Sequence, residues 1–206
     1  MLKSSYLTAS QTVGPFFHNC LLREAAHLLS PVIDATEGEH IRVEGCVLDG
    51  DGVGVPDALV EIWQANAAGR YNHPLDVRNL PLDPAFTGFG RTGTDDEGGF
   101  WFETVRPGPV PFDATTMQAP HICVVVFGRG LLNHLYTRIY FADDSATVAD
   151  PILLRVPTER RGTLLATRAD VGSSVVYRLD IVLQGAAETV FFNLTGEAES
   201  IPKPDL

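Results

Sequence analysis

The sequence is short of several things. It has three cysteines, Cys20, Cys46 and Cys123, at wide spacing and with no C-x-x-C pair. That odd, scattered set argues against a disulfide framework or a zinc site and fits reduced thiols in a cytoplasmic protein. No apolar run approaches the ~20 residues that a membrane-crossing helix needs. The N-terminus, "MLKSSYLTASQTVGPFF", lacks the continuous apolar stretch of a secretory signal. There is no internal repeat and no low-complexity block. Positive charge is scarce: 15 Lys and Arg stand against 26 Asp and Glu, a net charge of −11. So acidic a chain repels a phosphate backbone, which argues against nucleic acid as a partner. A site for any small anion would need an arginine placed locally. Together these features imply a soluble protein with a cytoplasmic location, no membrane and no nucleic acid.

What is present reads mostly as strand. The 206 residues, 45% hydrophobic, suffice for one domain with a sizeable core, expected over residues 1–206. The arm 1–9 and the polar tail 195–206 are expected to be flexible. "NCLLREAAHLL", Asn19 to Leu29, puts Leu21, Ala25 and Leu28 on one helical face with Asn19 as N-cap. "EHIRVEGCVLD" alternates, with Ile41, Val43, Gly45 and Val47 on one face and Arg42, Glu44 and Cys46 on the other. "LVEIWQA", "FWFETVRPG", "HICVVVFG", "TRIYF", "TLLATRA", "VVYRLDIVLQG" and "ETVFFNL" read as further strands. The segment from Asn66 to Arg91 carries few strand signals, and irregular stretches of that length usually hold function or an interface. Short strands between glycine and aspartate turns predict an all-β chain: an antiparallel β-sandwich with a short N-terminal helix and long irregular loops.

Four local patterns carry possible chemistry. "GFGRTG", Gly88 to Gly93, matches G-x-G-x-x-G, but loop precedes it and a turn into strand follows, so no helix N-terminus faces a pyrophosphate. "DGDGVGVPDALVE" opens like a calcium loop, yet Val60 stands where a bidentate glutamate is required, and a hairpin turn is the better reading. His121 and Cys123 alternate by two and emerge on one strand face: either part of a metal site, or a hydrogen-bonded histidine beside a buried thiol. Arg129, between two glycines, is either a carboxylate anchor or a solvated turn residue.

"SQTVGPFF", "VEIWQANAAGRY", "PLDP", "GFGRTGTDDEGGFWFETVRPGPVP", "APHI", "TRIYF" and "GAAETVFF", in this order and spacing, resemble the intradiol ring-cleavage dioxygenases from Ser10 to Leu194. The resemblance implies that family's fold and its chemistry: a non-haem Fe(III) held by two tyrosines and two histidines, and insertion of both atoms of O2 into a catechol. The tyrosine expected three residues before P-L-D-P is Arg78 here. The one expected inside P-G-x-Y-P-W is Val110, and the H-I-H pair is His121 and Cys123. Three of these four ligand positions carry other residues, and the resemblance is to a non-iron-binding alpha subunit.

Carried over motif by motif, the resemblance implies no catalytic residue and no metal ligand in this chain. Fe(III) would be held by a homologous beta subunit as obligate partner, making the enzyme a hetero-oligomer and the isolated chain inactive. It implies that Thr12, Gly14 and Pro15 of "SQTVGP" wall the partner's site and that Arg129 of "FGRG" binds the carboxylate of protocatechuate. The product would be 3-carboxy-cis,cis-muconate, in the beta-ketoadipate pathway of aromatic catabolism. Two alternatives remain: a self-sufficient intradiol enzyme with altered ligands, and a non-enzymatic transthyretin-like β-sandwich module.

Overall fold

The computed structural model describes residues 9–14, 16–22, 27, 36–172 and 174–194. A short helix, α1 (Phe17–Leu21), precedes eleven strands: β1 (His40–Leu48), β2 (Leu59–Trp63), β3 (Phe89–Gly93), β4 (Gly99–Val105), β5 (Val110–Pro111), β6 (Met117–Gln118), β7 (His121–Phe127), β8 (Leu135–Phe141), β9 (Leu165–Val171), β10 (Ser174–Arg178) and β11 (Ile181–Val182). The described helix overlaps the start of the one expected from Asn19 to Leu29, the rest of which lies mostly outside the described residues. Residues 1–8 and 195–206, the bulk of the arm and the tail, lie outside them too.

Strand content is as expected; the sheet is not. Nine strands join in one mixed, barrel-like sheet in the order β11-β1-β10-β9-β8-β7-β2-β3, with β4 on β1. The antiparallel expectation fails at three seams, because β1 runs parallel to β10 and to β11, and β8 runs parallel to β9. The β8–β9 seam is only Tyr140↔Leu165 and Phe141↔Ala166, and it ties the half containing β7 to the half containing β1. "ETVFFNL" is no strand: Thr189 and Phe192 donate backbone N–H to Val182 and Tyr136, but no continuous ladder follows. "VVYRLDIVLQG" splits at Leu179 and Asp180 into β10 and β11.

The main core forms as alternation dictates. Ile41, Val43 and Val47 of β1 meet Phe100 and Phe102 of β4, Ile122, Val124 and Val126 of β7, and Ile139 and Phe141 of β8. Burial of such side chains stabilises by roughly 1.5–3 kcal/mol each. Every inward residue of β7 fixes its neighbour outward, so His121 and Cys123 share the opposite face. The motif patterns resolve the same way. "GFGRTG" ends in β3, a strand, and Asp49 Oδ1 accepts the N–H groups of Asp51 and Val53 to close a turn.

Candidate functional site

The register of three strands builds one row of side chains. Trp63 of β2 lies opposite Cys123 of β7, which lies opposite Arg138 of β8; beside them His121 faces Tyr140. The irregular segment folds over this row. Asn66 Oδ1 accepts from the N–H groups of Ala68 and Arg70, and its Nδ2 donates to the Pro81 carbonyl, so the chain returns as a loop above β7. Tyr71 of this loop stacks on Trp63, ring centroids 5.9 Å apart and planes 10° apart. The space between loop and sheet is a cavity of about 760 Å³ that opens past Leu75 and Val77.

All four positions singled out for the ligand set, Arg78, Val110, His121 and Cys123, line this cavity. Arg78 grips Asp76 through two hydrogen bonds, Nε to Oδ1 at 2.8 Å and Nη2 to Oδ2 at 2.6 Å, and donates to the Gly69 carbonyl. The guanidinium holds the Asp76 carboxyl well below the usual carboxylate range. Val110 offers no donor atom, and burial pushes the Cys123 thiol up, away from thiolate. The one phenol on the loop side, Tyr71, is pushed up to about 12 by burial. This set does not fit a ferric ion, which is hard and trivalent and calls for anionic oxygens. Among the described residues no three His, Cys, Asp or Glu side chains converge elsewhere either.

His121 has a structural partner rather than filling space. Its Nδ1 donates to the Ala119 carbonyl at 2.8 Å, which leaves Nε2 as an acceptor, and burial lowers its pKa to about 4. The unfolded chain would protonate this histidine near pH 6.5, whereas the folded chain resists until about pH 4, so its contribution is complete above the unfolded value and lost as pH falls. We expect wild type to lose roughly 2 kcal/mol more than His121→Gln between pH 7 and pH 5, read from urea midpoints at both values. Identical pH dependence in the two proteins would show that His121 is protonated without penalty.

The residues assigned to a substrate sit elsewhere. Thr12 Oγ accepts the backbone N–H of Gly130 at 2.7 Å, and the Phe17 ring packs on Phe127 at 5.4 Å, so the N-terminal segment docks on the loop after β7. Gly130 has φ +93, a conformation that suits glycine and lets the loop turn there. Gly14 has open space where a side chain would stand, and Pro15 lies outside the described residues. Arg129 is 52% exposed and its Nη2 meets Asp57 Oδ2 at 2.7 Å. Four residue steps from Cys123 to Phe127, at ~3.3 Å each, put about 13 Å between this end of β7 and the cavity. Thr12 and the Arg129 loop are brought together, then, but not with Arg78, Val110, His121 and Cys123.

Trp63 and Arg138 are among the cavity residues that escaped the sequence reading, and Tyr71 stands out in the sequence only as a tyrosine away from the ligand positions. "VEIWQANAAGRY" contains the stacked pair, yet only the loop's return over β2 shows that the rings meet. Arg138 could be found only by pairing "TRIYF" with "HICVVVF" in the correct register.

Comparison with known proteins gives the family and the fold. The family described as Dioxygenase matches residues 13–185. The chain is 46% identical over 198 residues to the protocatechuate 3,4-dioxygenase alpha chain of Burkholderia cepacia, covering 91% of this chain and 97% of that one. It is 42% identical over 199 residues to the alpha chain of the Pseudomonas putida enzyme, covering 90% and 96%. The Burkholderia cepacia beta chain is 38% identical over 186 residues, covering 87% and 77%. Among solved structures, 3-chlorocatechol 1,2-dioxygenase from Rhodococcus opacus 1CP superposes with a TM-score of 0.59 at 22% identity, over 74% of this chain and 63% of that one. The dioxygenase domain of a carbohydrate-binding fusion from Streptomyces sp. SirexAA-E gives 0.59 at 22% identity, over 87% and 100%. Both likenesses concern the fold.

Proposed function

Since the chain belongs to the intradiol ring-cleaving dioxygenase family, we propose that it is the alpha-type, non-iron-binding subunit of a hetero-oligomer that cleaves protocatechuate with O2. The product is 3-carboxy-cis,cis-muconate, formed in the beta-ketoadipate pathway in the cytoplasm. A homologous beta-type chain supplies Fe(III) and its ligands. This chain supplies pocket wall through Thr12, Gly14 and Pro15, carboxylate recognition through Arg129, and quaternary structure.

One observation carries the reading: the two sets of residues lie at opposite ends of β7. Arg129 and the segment pinned to its loop cannot reach this chain's own cavity, whose donors do not suit the metal. They suit instead a site completed by a neighbour. In a chain of net charge −11, a positioned arginine is what brings an anionic substrate to such a site.

Expression with and without a beta-type chain tests this. Alone, the chain should be colourless, iron-free and inactive; together, the two should co-purify with iron in proportion to the beta chain and consume protocatechuate and O2. A coloured, iron-loaded chain that opens the ring unaided would establish the self-sufficient alternative. A beta-type chain that reaches full activity without this one would establish the scaffold alternative.

A further inference from the structure

The cavity under the 66–91 loop has lost its metal set but keeps a charge. Arg138 reaches it from β8, half-buried beside Cys123. Its Nη1 donates to Gln118 Oε1 at 2.8 Å and to the Tyr140 hydroxyl at 3.2 Å, both uncharged. Among the described residues no carboxylate lies within 4.0 Å of this guanidinium, whereas Arg78 in the same cavity is neutralised by Asp76. The nearest candidate, Asp150, is already committed. It accepts the N–H groups of Ala119, Ile152 and Leu153 at 2.8–2.9 Å and the Tyr140 hydroxyl at 2.9 Å. A guanidinium cannot shed its proton, so a half-buried one whose nearest carboxylate acts only through space and the Tyr140 hydroxyl is costly, and its Nε and Nη2 edge makes no hydrogen bond among the described residues.

We infer that this cavity is a non-catalytic binding site for a flat aromatic monocarboxylate, with the carboxylate on Arg138 and the ring along the Trp63–Tyr71 shelf. The volume of about 760 Å³ is in the range of small-molecule sites and accommodates a single substituted ring with water. The lining includes a stacked pair of rings and the apolar Val110. With Arg78 and Asp76 cancelling, Arg138 leaves one net positive charge, which matches a monoanion better than a phosphate ester. His121, whose Nδ1 proton is tied to Ala119, presents a bare Nε2 that can accept from a ring hydroxyl.

Binding of 4-hydroxybenzoate to the purified full chain, followed by calorimetry, tests the site. The expected result is saturable binding of one molecule per chain, weakened about tenfold or more by Arg138→Gln and by replacing the probe with uncharged 4-hydroxybenzamide. Leu75 and Val77, 84% and 86% exposed at the cavity mouth, can be changed without disturbing the fold. Leu75→Glu with Val77→Glu should also weaken binding, most at low salt, and this holds even if Arg138→Gln fails to fold. Absence of saturable binding, unchanged affinity in Arg138→Gln, or loss of binding in Arg129→Ala would each overturn the inference. The site uses this chain's residues alone, so its failure would leave the subunit role untouched.

Discussion

Arg129→Ala in the assembled enzyme is expected to raise the KM for protocatechuate by tens-fold or more and to leave that for catechol near its wild-type value. Removing one partner of a desolvated charge pair costs ~2–5 kcal/mol, and each 1.4 kcal/mol is about tenfold. In this chain Arg129 meets Asp57 through one Nη2 hydrogen, which leaves the other edge of the guanidinium for a carboxylate. With the guanidinium gone, the Asp57 carboxylate would lose that ion pair and repel the incoming anion more strongly. Arg129→Ala combined with Asp57→Asn should therefore recover part of the loss, which a purely steric role for Arg129 would not allow. Equal damage to both substrates would remove Arg129 from carboxylate recognition.

The sequence shows local order well and long-range order badly. The alternation of "EHIRVEGCVLD" places Ile41, Val43 and Val47 inward as the structure has them, because a half-buried strand fixes its faces by period two alone. The shared face of His121 and Cys123 follows from the same rule. "ETVFFNL" misled because its β-branched and aromatic residues favour strand only when a neighbour completes a ladder. There the partners are single bonds to Val182 and Tyr136. The parallel seams of β1 with β10 and β8 with β9 join segments far apart in sequence, and no turn residue announces them. The candidate site divides likewise. Ordered motifs located Arg78, Val110, His121, Cys123, Thr12 and Arg129. The counter-charges, Asp76 for Arg78 and Asp57 for Arg129, and the placement of Arg138, with no carboxylate in contact among the described residues, depend on loop return and register, which spacing does not encode.

One glycine connects that local pattern to the unforeseen topology. Gly45 sits on the inward face of β1, where alternation calls for a large apolar residue, and a glycine inside a strand marks a close backbone approach. The approach is Leu179, in the link from β10 to β11. A β-carbon on Gly45 would lie 1.9 Å from the Leu179 carbonyl oxygen and 2.7 Å from its carbon, with the Phe100 ring at 3.3 Å. Neither side can retreat. Leu179 N–H donates to the Glu44 carbonyl, Asp180 Oδ1 accepts from Cys46 N–H, and β1 itself is held by β4, β10 and β11. Gly45→Ala should therefore cost ~3 kcal/mol or more, and Gly45→Val, with two further methyl groups, should leave no soluble folded protein against a total stability of about 5–15 kcal/mol. Gly162, where an added β-carbon meets nothing within 4 Å, is the matched control, and Gly162→Ala should melt within a few degrees of wild type. If Gly45→Ala melts there too, the strand crossing is looser than these contacts require, and the parallel placement of β10 and β11 beside β1 loses its steric basis.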